Sequence, residues 1–526
     1  MMFLTAVTLM MCTLPGSVGA NELPGGRHEG KLNVNSPVPG FADLHNHLFS
    51  EYGFGGAWIH GTVEGPIEKA MASCDFDDHA ETVIPFISGL IGHIRGSTGD
   101  TGSHDDKHTG YPSFLGWPRW DTIAHQQNWE GYLKSAHENG MNLMIASAMS
   151  FEPLCRLMPA KNRKYPDCSD MVAVNRQLEA LHRFEKNHDW FKIVTSPEEA
   201  RAAIRAKKLA VVISIEVTNL FDQEDWKKGL DGVYAQGVRT LQLAHQLDNR
   251  FTGVAMHNPV FRMLMWWRDI SENGSFPGYF TFWKYGFQTE IDPVDLVKKN
   301  KLGLTLEGKA LLQEMMSRGM LIDLAHESEH AVKDIQAMTL THGNYPVYMS
   351  HGHFRNAMED GKFSQWEKSS GDWVLDYIKD SGGMFGLRTG PEKTKTYPQS
   401  KVPNDCQGTT KSFAQTYQYG MSRGVSLAFG SDLNGFIQQL RPRFGNADET
   451  CGAQDNAVEK IVEQNAQKQA LNKRFDSSGF GDISQLPDVL TELKHFGIDT
   501  NGLDHSAEAF IQMWEKAERM KGAGSP

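Results

Sequence analysis

The 526-residue chain is expected to form an α/β protein, a (β/α)8 TIM-type barrel with long loop insertions and C-terminal helices. Three observations lead there. Eight apolar stretches rich in strand-forming residues recur along the chain, amphipathic helical patterns separate most of them, and ionisable residues gather at their ends.

The first stretch, Phe41 to His47 (FADLHNH), is an apolar run closing on two histidines one residue apart. Side chains alternate along a strand, so His45 and His47 face one side and can grip one cation. A helical pattern from Asn128 to Asn139 stops at Gly140 and feeds a strand from Asn142 to Ala148. Helical patterns at Met171–His188 and Pro197–Lys208 precede LAVVISIE, Leu209 to Glu216, and a short helix ending at Gly237 precedes VRTLQLAH, Val238 to His245. The helix Thr305–Arg318 leads through Gly319 to MLIDLAH, Met320 to His326. PVYMSH (Pro346–His351), GMFGLR (Gly383–Arg388) and VSLAFGSD (Val425–Asp432) complete the eight. Helices at Leu486–Phe496 and His505–Met520 are expected to pack against the barrel.

Between these elements lie insertions at about residues 88–127, 256–300, 389–411 and 437–480, and several would overhang the catalytic face of a barrel. The first carries His104 and His108 among Gly and Asp, the pattern of a solvated loop. The second is rich in aromatics, including Trp266, Trp267, Trp283 and Tyr285, and reads as loop packing or a lid.

Composition bounds the partners. Hydrophobic residues make up 40% of the chain, ample for a core, and the net charge of -12 argues against nucleic acid or an anionic membrane surface as partner. Residues 1–20 run from MMFLTAVTLMMC to Val18-Gly19-Ala20 and are read as a signal peptide cut before Asn21. A secreted or periplasmic protein with no stable membrane anchor is the expectation, with residues 21–526 forming the barrel domain. Five cysteines would remain after cleavage; Cys155 with Cys168 and Cys406 with Cys451 are the expected disulfides.

His45, His47, Glu216, His245, His326, His351 and Asp432 all end otherwise apolar strands. In a barrel those ends converge on one face. Imidazoles with one or two carboxylates suit Zn2+ or another divalent first-row ion better than Ca2+ or Mg2+. The set is too large for one open tetrahedral ion and fits two, which points to hydrolysis.

The segment LTLEGKALLQEMMSRGMLIDLAHES followed by PVYMSH, with ISIE and GVRTLQLAH before and FGSDLNG after, resembles the membrane dipeptidase (renal dipeptidase) family of the amidohydrolase superfamily, from Phe41 to about Asp432. The resemblance implies a dizinc hydrolase of a small amide, a dipeptide or an N-acyl amino acid. It implies that Glu216 bridges the two Zn2+ ions, that His326 and His351 complete the second, and that His45 is a ligand of the first. Asp432 resembles the residue that orients the nucleophile and carries its proton to the leaving amine, and His245 the one that polarises the scissile carbonyl and binds substrate. Arg355 is a candidate grip for a substrate carboxylate, with a structural salt bridge as the other reading.

Two positions depart from the family. Its usual His-x-Asp is His45-Asn46-His47 here, which makes the site one charge less negative and leaves the number of ions open. Its Asp-x-Asp-Gly is Asp432-Leu433-Asn434-Gly435. A lactone, ester or phosphoester hydrolase on the same barrel, or a non-catalytic metal-binding barrel, are the alternatives. Members of the family dimerise, but no stretch marks the interface of a homodimer.

Overall fold

The computed structural model describes residues 36–74, 110–112, 114, 117–221, 225–256, 289–361, 366–443, 475 and 479–522. The chain divides into Met1–Pro37 and Val38–Pro526, and the second unit carries the fold. The expected signal peptide, His104, His108 and the four tryptophan and tyrosine residues of the aromatic insertion lie outside the described residues.

Eleven strands are present among them: β1 (Phe41–Asn46), β2 (Met141–Ser150), β3 (Phe191–Ile193), β4 (Leu209–Val217), β5 (Val238–Leu241), β6 (Thr289–Ile291), β7 (Lys298–Asn300), β8 (Leu321–Asp323), β9 (Val347–Gly352), β10 (Met384–Leu387) and β11 (Ser426–Phe429). Eight of them form a closed parallel ring in the order β2-β1-β11-β10-β9-β8-β5-β4, and β4 returns to β2 through a register from Leu143↔Ala210 to Ser150↔Val217. This is the expected (β/α)8 barrel, and its eight strands are the eight apolar stretches. All nine residues of β4 are buried, as befits a parallel strand covered on both faces.

The helices between them have the ends their sequences dictate. Ser169, Ser196, Asp225, Thr305 and Ser328 each accept a backbone N–H of the first helical turn, satisfying donors that the helix itself leaves open. Gly319 ends the helix Leu306–Ser317 with φ of +71°, a conformation that costs a residue with a Cβ and lets the chain turn straight into β8.

The C-terminal helix Ser506–Arg519 packs under the start of β1. Ser506 Oγ accepts the Ala42 N–H at 2.8 Å, the carboxylate of Glu508 accepts the Val38 N–H at 2.8 Å, and Arg201 grips the same carboxylate with both terminal nitrogens, at 2.6 and 2.8 Å. Trp514 is fully buried beside it. These contacts hold the end of the barrel opposite the strand ends that carry the histidines.

Several elements were not anticipated. β3 adds three residues beside the start of β4. The helices Asp372–Asp380 and Thr410–Arg423 fill connections that had been given no helix. The second of these buries Lys411, Ser412, Gln415 and Thr416 beside Phe413, Ala414 and Tyr417, so polar residues blur the apolar stripe by which a helix is recognised. Their polar groups bond to the 389–411 insertion, as when Gln415 donates to the Val402 carbonyl at 3.0 Å. The described end of the 256–300 insertion is an antiparallel hairpin, β6–β7, with Thr289 opposite Asn300.

Cys155 and Cys168 form the expected disulfide. Cys406 is disulfide-bonded too, while Cys451, its expected partner, lies outside the described residues. Among the described residues no helix is long and apolar enough to cross a membrane.

Candidate metal centre

The chemistry-bearing residues at the strand ends meet at one mouth of the barrel. Nε2 of His45 lies 3.0 Å from Oε2 of Glu216, and Nε2 of His47 lies 3.1 Å from the same oxygen and 3.1 Å from Oδ1 of Asp432. On the other oxygen of Glu216, Nε2 of His326 stands at 2.8 Å and Nε2 of His245 at 3.7 Å. Nε2 of His351 is 3.1 Å from that of His326, and its ring stacks on His45 at 4.0 Å. All seven are buried. Glu216 therefore stands between two sets of imidazoles, one on each carboxylate oxygen.

Backbone and side-chain contacts aim these rings. His47 Nδ1 faces the Ser147 carbonyl at 3.1 Å, so Nδ1 carries a proton and Nε2 is the nitrogen turned toward the carboxylates. Ser350 Oγ sits 3.1 Å from Nδ1 of His351, and the Gln246 side-chain amide 2.9 Å from Nε2 of His245. Asp43, buried in β1, accepts from Ser431 Oγ at 2.6 Å and from its N–H at 2.9 Å, while the Asp432 N–H donates to the His45 carbonyl at 2.8 Å. Those bonds lock Asp432 against the first histidine pair.

The backbone is held in sparsely populated conformations at the same place. His326 has φ of +67° and Asp432 of +55°, left-handed values that cost a residue with a side chain about 1 kcal/mol or more and are kept where the surroundings impose them. A Cβ on Gly430 would come within 2.3 Å of the Ser350 carbonyl oxygen and 3.0 Å of the His351 Cα, so only glycine lets the strand before Asp432 approach the strand carrying His351.

Electrostatics follow from this crowding. Burial would raise the carboxyl of Glu216, yet the surrounding His45, His245 and His326 hold it well below the usual carboxylate range. Burial likewise works against a charge on His47, but the adjacent carboxylates of Asp432 and Glu216 outweigh that and lift it to about 10. Burial pushes His245 down to about 4, and pushes His326 and His351 well below an ordinary imidazole, which leaves these three neutral. A neutral imidazole is the form that binds a metal.

The donor set fits divalent cations. His45 Nε2 and Glu216 Oε2 are buried and make no hydrogen bond, and neighbouring nitrogens and oxygens converge within 4.8 Å in three groups: His45, Glu216 and His351; His45, His47 and Asp432; Glu216, His245 and His326. Lone pairs pointed at one another in a buried site need a positive charge between them. Nitrogen donors with two carboxylates match zinc-type ions better than oxygen-seeking Ca2+ or Mg2+.

Arg355 stands apart from this cluster. Its Nη1 donates to Asp295 at 2.8 Å, and its Nη2 to Glu329 at 2.5 Å and to the Glu367 carbonyl at 3.3 Å. The salt-bridge reading describes that arrangement. Asn434 is a loop clamp: its side chain accepts the Gln127 N–H at 2.9 Å and donates to Gln126 at 2.7 Å.

Two cations at the site were not singled out from the sequence. Arg388, just past β10, brings Nη1 to 3.9 Å from Oδ2 of Asp432, and Lys368 brings Nζ to 3.4 Å from Nε2 of His326. Burial and the charge of Arg388 push Lys368 down to about 8. Arg388 was legible as the residue that continues the strand GMFGLR; Lys368 belongs to no periodic segment.

Against known proteins, the model of the family described as membrane dipeptidase (peptidase family M19) matches residues 141–275 and 288–436, together more than half of the chain. The chain belongs to the membrane dipeptidase family. Membership agrees with the resemblance read from the strand-end motifs. The chain is 22% identical over 214 residues to dipeptidase verJ of Clonostachys rogersoniana, covering 40% of this chain and 42% of that protein. It is 26% identical over 230 residues to an uncharacterised protein in the pqqA 5' region of Klebsiella pneumoniae, covering 44% of this chain and 66% of that one. The match thus spans less than two thirds of either relative.

Among solved structures, a metallopeptidase described as dipeptidase AC superposes with a TM-score of 0.46 at 14% identity, covering 73% of this chain and 88% of that chain. A metallopeptidase from Rhodobacter sphaeroides, liganded with a phosphinate mimic of L-Ala-D-Ala, gives 0.44 at 14% identity, covering 73% and 89%.

Proposed function

We propose that the protein is a dizinc hydrolase that cleaves a small amide, a dipeptide or an N-acyl amino acid. The observation that carries this reading is the single carboxylate, Glu216, with imidazoles on both of its oxygens. His45 and His47 would hold one ion and His326 and His351 the other, with Glu216 shared. Bound there, the pair of ions would supply a nucleophilic hydroxide near neutral pH and polarise the scissile carbonyl.

The chain's own groups do the rest. Asp432 is held ionised below the usual carboxylate range by His47, His45 and Arg388 despite its burial, so it accepts a proton from the attacking water and returns it to the leaving amine. Its lock to the His45 carbonyl keeps that carboxylate on the reacting side. His245 is neutral and buried beside Glu216, and its ring N–H would steady the negative charge that develops on the carbonyl oxygen. Burial of all seven groups limits competing water and strengthens each electrostatic contact.

A panel of L-Ala-L-Ala, L-Ala-D-Ala, N-acetylalanine, a simple lactone, an aryl ester and a phosphotriester, offered to zinc-loaded protein, tests the assignment. Cleavage of a dipeptide or the N-acyl amino acid, lost on chelation and restored by zinc, is the expected result. Turnover confined to the lactone or the esters would replace amide hydrolysis by the ester reading. No turnover by folded, zinc-loaded protein would favour a binding role.

A further inference from the structure

A buried strap, Gln126-Gln127-Asn128, lies where the first insertion ends and touches the ends of both strands that bring His47 and Asp432 together. Its far side is fixed to the body of the protein: the Gln126 N–H donates to the His60 carbonyl at 2.8 Å, and the Gln127 carbonyl accepts the Ile483 N–H at 3.0 Å. Its near side faces the turn Asp432-Leu433-Asn434-Gly435. The Gln127 N–H donates to Oδ1 of Asn434 at 2.9 Å, the Asn434 N–H donates to Oε1 of Gln127 at 2.8 Å, and Nδ2 of Asn434 donates to Oε1 of Gln126 at 2.7 Å. Oδ1 of Asn128 accepts from Nδ2 of Asn46, at the end of β1, at 3.1 Å.

The same turn grips residue 47. The His47 N–H donates to the Leu433 carbonyl at 3.1 Å, and the His47 carbonyl accepts from Nδ2 of Asn434 at 3.3 Å. Ser50 Oγ donates to the Asn434 carbonyl at 3.3 Å, so every polar atom of Asn434 is engaged. Asp432 and Asn434 both have left-handed backbones, at φ of +55° and +61°, which Asp and Asn tolerate better than other residues with a side chain. A Cβ on Gly435 would lie 2.0 Å from Oδ1 of Asp432, so glycine lets that carboxylate fold back over its own turn. The same oxygen stands 3.1 Å from Nε2 of His47. The two positions at which the chain departs from its family, 47 and 434, are thus bonded to each other.

The turn is already closed by the Gly435 N–H, which donates to the Asp432 carbonyl at 3.0 Å. The side chain of Asn434 adds bonds that run outward, to the strap and to the end of β1. Because the strap is fixed on its far side, those bonds carry its position to the contact between His47 and Asp432. We propose that Asn434, held by Gln126 and Gln127, is a positioning residue that sets the carboxylate of Asp432 against His47 for proton transfer. A neutral amide suits the place because it both donates and accepts. An aspartate would keep the bond from the Gln127 N–H but turn its second oxygen toward Oε1 of Gln126 and the His47 carbonyl, which are both acceptors. The inference rests on Asp432 as the proton carrier, and so on the hydrolase reading.

The test measures kcat and KM for L-Ala-L-Ala, zinc content and Tm in Asn434→Ala, Asn434→Asp and Gln126→Leu, beside Thr339→Val. The last removes a buried 2.7 Å hydrogen bond to Tyr377 at the far end of the helix Glu329–Thr341 and represents a purely structural loss. In the three clamp variants kcat is expected to fall about 10- to 100-fold, the effect of a misplacement of about 1 Å, with KM and zinc content near native. Asn434→Asp falls at least as far as Asn434→Ala although it keeps the native shape. Joining Asn434→Ala to Gln126→Leu adds little to the worse single change, because both act through one contact. Thr339→Val lowers Tm and leaves kcat alone. Metal-stripped protein reloaded with Co2+ gives a readout that needs no turnover. The visible absorption bands shift in the clamp variants at unchanged cobalt content, because His47 moves with the turn, and stay native in Thr339→Val.

Native kcat in folded, zinc-loaded Asn434→Ala and Asn434→Asp would overturn the positioning role, as would a change carried by KM alone. If neither Asn434 variant folds, Gln126→Leu decides by the same measurements. Native protein without turnover would remove the hydrolase reading; altered cobalt bands in the clamp variants would then sustain the positioning, and unaltered bands would overturn it.

Discussion

Glu216→Gln is expected to lower kcat/KM by about 10³-fold or more and to leave no more than about one zinc ion per chain, because one residue supplies an anionic oxygen to both halves of the centre. Its Oε2 faces His45 and His47 at 3.0 and 3.1 Å, and its Oε1 faces His326 at 2.8 Å. Glutamine keeps the shape but removes the charge, and it turns an amide NH2 toward one set of imidazoles. Metal analysis beside steady-state kinetics reads both effects. A variant with native zinc content and native turnover would show that Glu216 is a packing group.

Asp432→Asn separates proton transfer from metal holding. We expect kcat to fall by about 10²- to 10⁴-fold, the usual worth of a positioned acid/base, with KM changed little and His45, Glu216, His326 and His351 still carrying zinc. Asparagine retains the backbone bond from residue 432 to the His45 carbonyl, so the loop stays in place. A change in KM alone, with kcat preserved, would assign Asp432 to substrate binding and leave the proton route unexplained.

Much of this arrangement was legible in the sequence for a simple reason. Barrel strands buried on both faces are apolar runs, and a histidine or carboxylate closing such a run is conspicuous. Glu216 in ISIE, His326 in IDLAH and Asp432 in FGSD stand out in this way, and the structure brings all seven strand-end residues together. His47 also lies inside the cluster, with Nε2 on both Glu216 and Asp432, although the family's usual residue there is an aspartate.

What was not legible depends on contacts between segments without a period of their own. Lys368 is carried to the centre by a strap in which the Ser370 N–H donates to the His353 carbonyl at 2.8 Å and the Arg355 N–H to the Ser370 carbonyl at 2.9 Å. Arg355 follows the Ser350-His351 pair and so invited a substrate role. Its partner Asp295 comes from the turn of the unanticipated β6–β7 hairpin, in which Lys299 also pairs with Asp292, Asp295 and Glu329. A three-residue strand such as β3 is too short to show a period, and the buried polar side chains of Thr410–Arg423 blur the stripe formed by Phe413, Ala414 and Tyr417.

The central claim, that one buried carboxylate joins two metal ions into a hydrolytic centre, is tested most directly by titrating metal-stripped protein with zinc while following both bound metal and hydrolysis of L-Ala-L-Ala. The account predicts negligible turnover without metal and a rise that levels off at about two bound ions per chain. Full turnover by folded protein free of metal, or a plateau reached at one ion with no further binding, would contradict it.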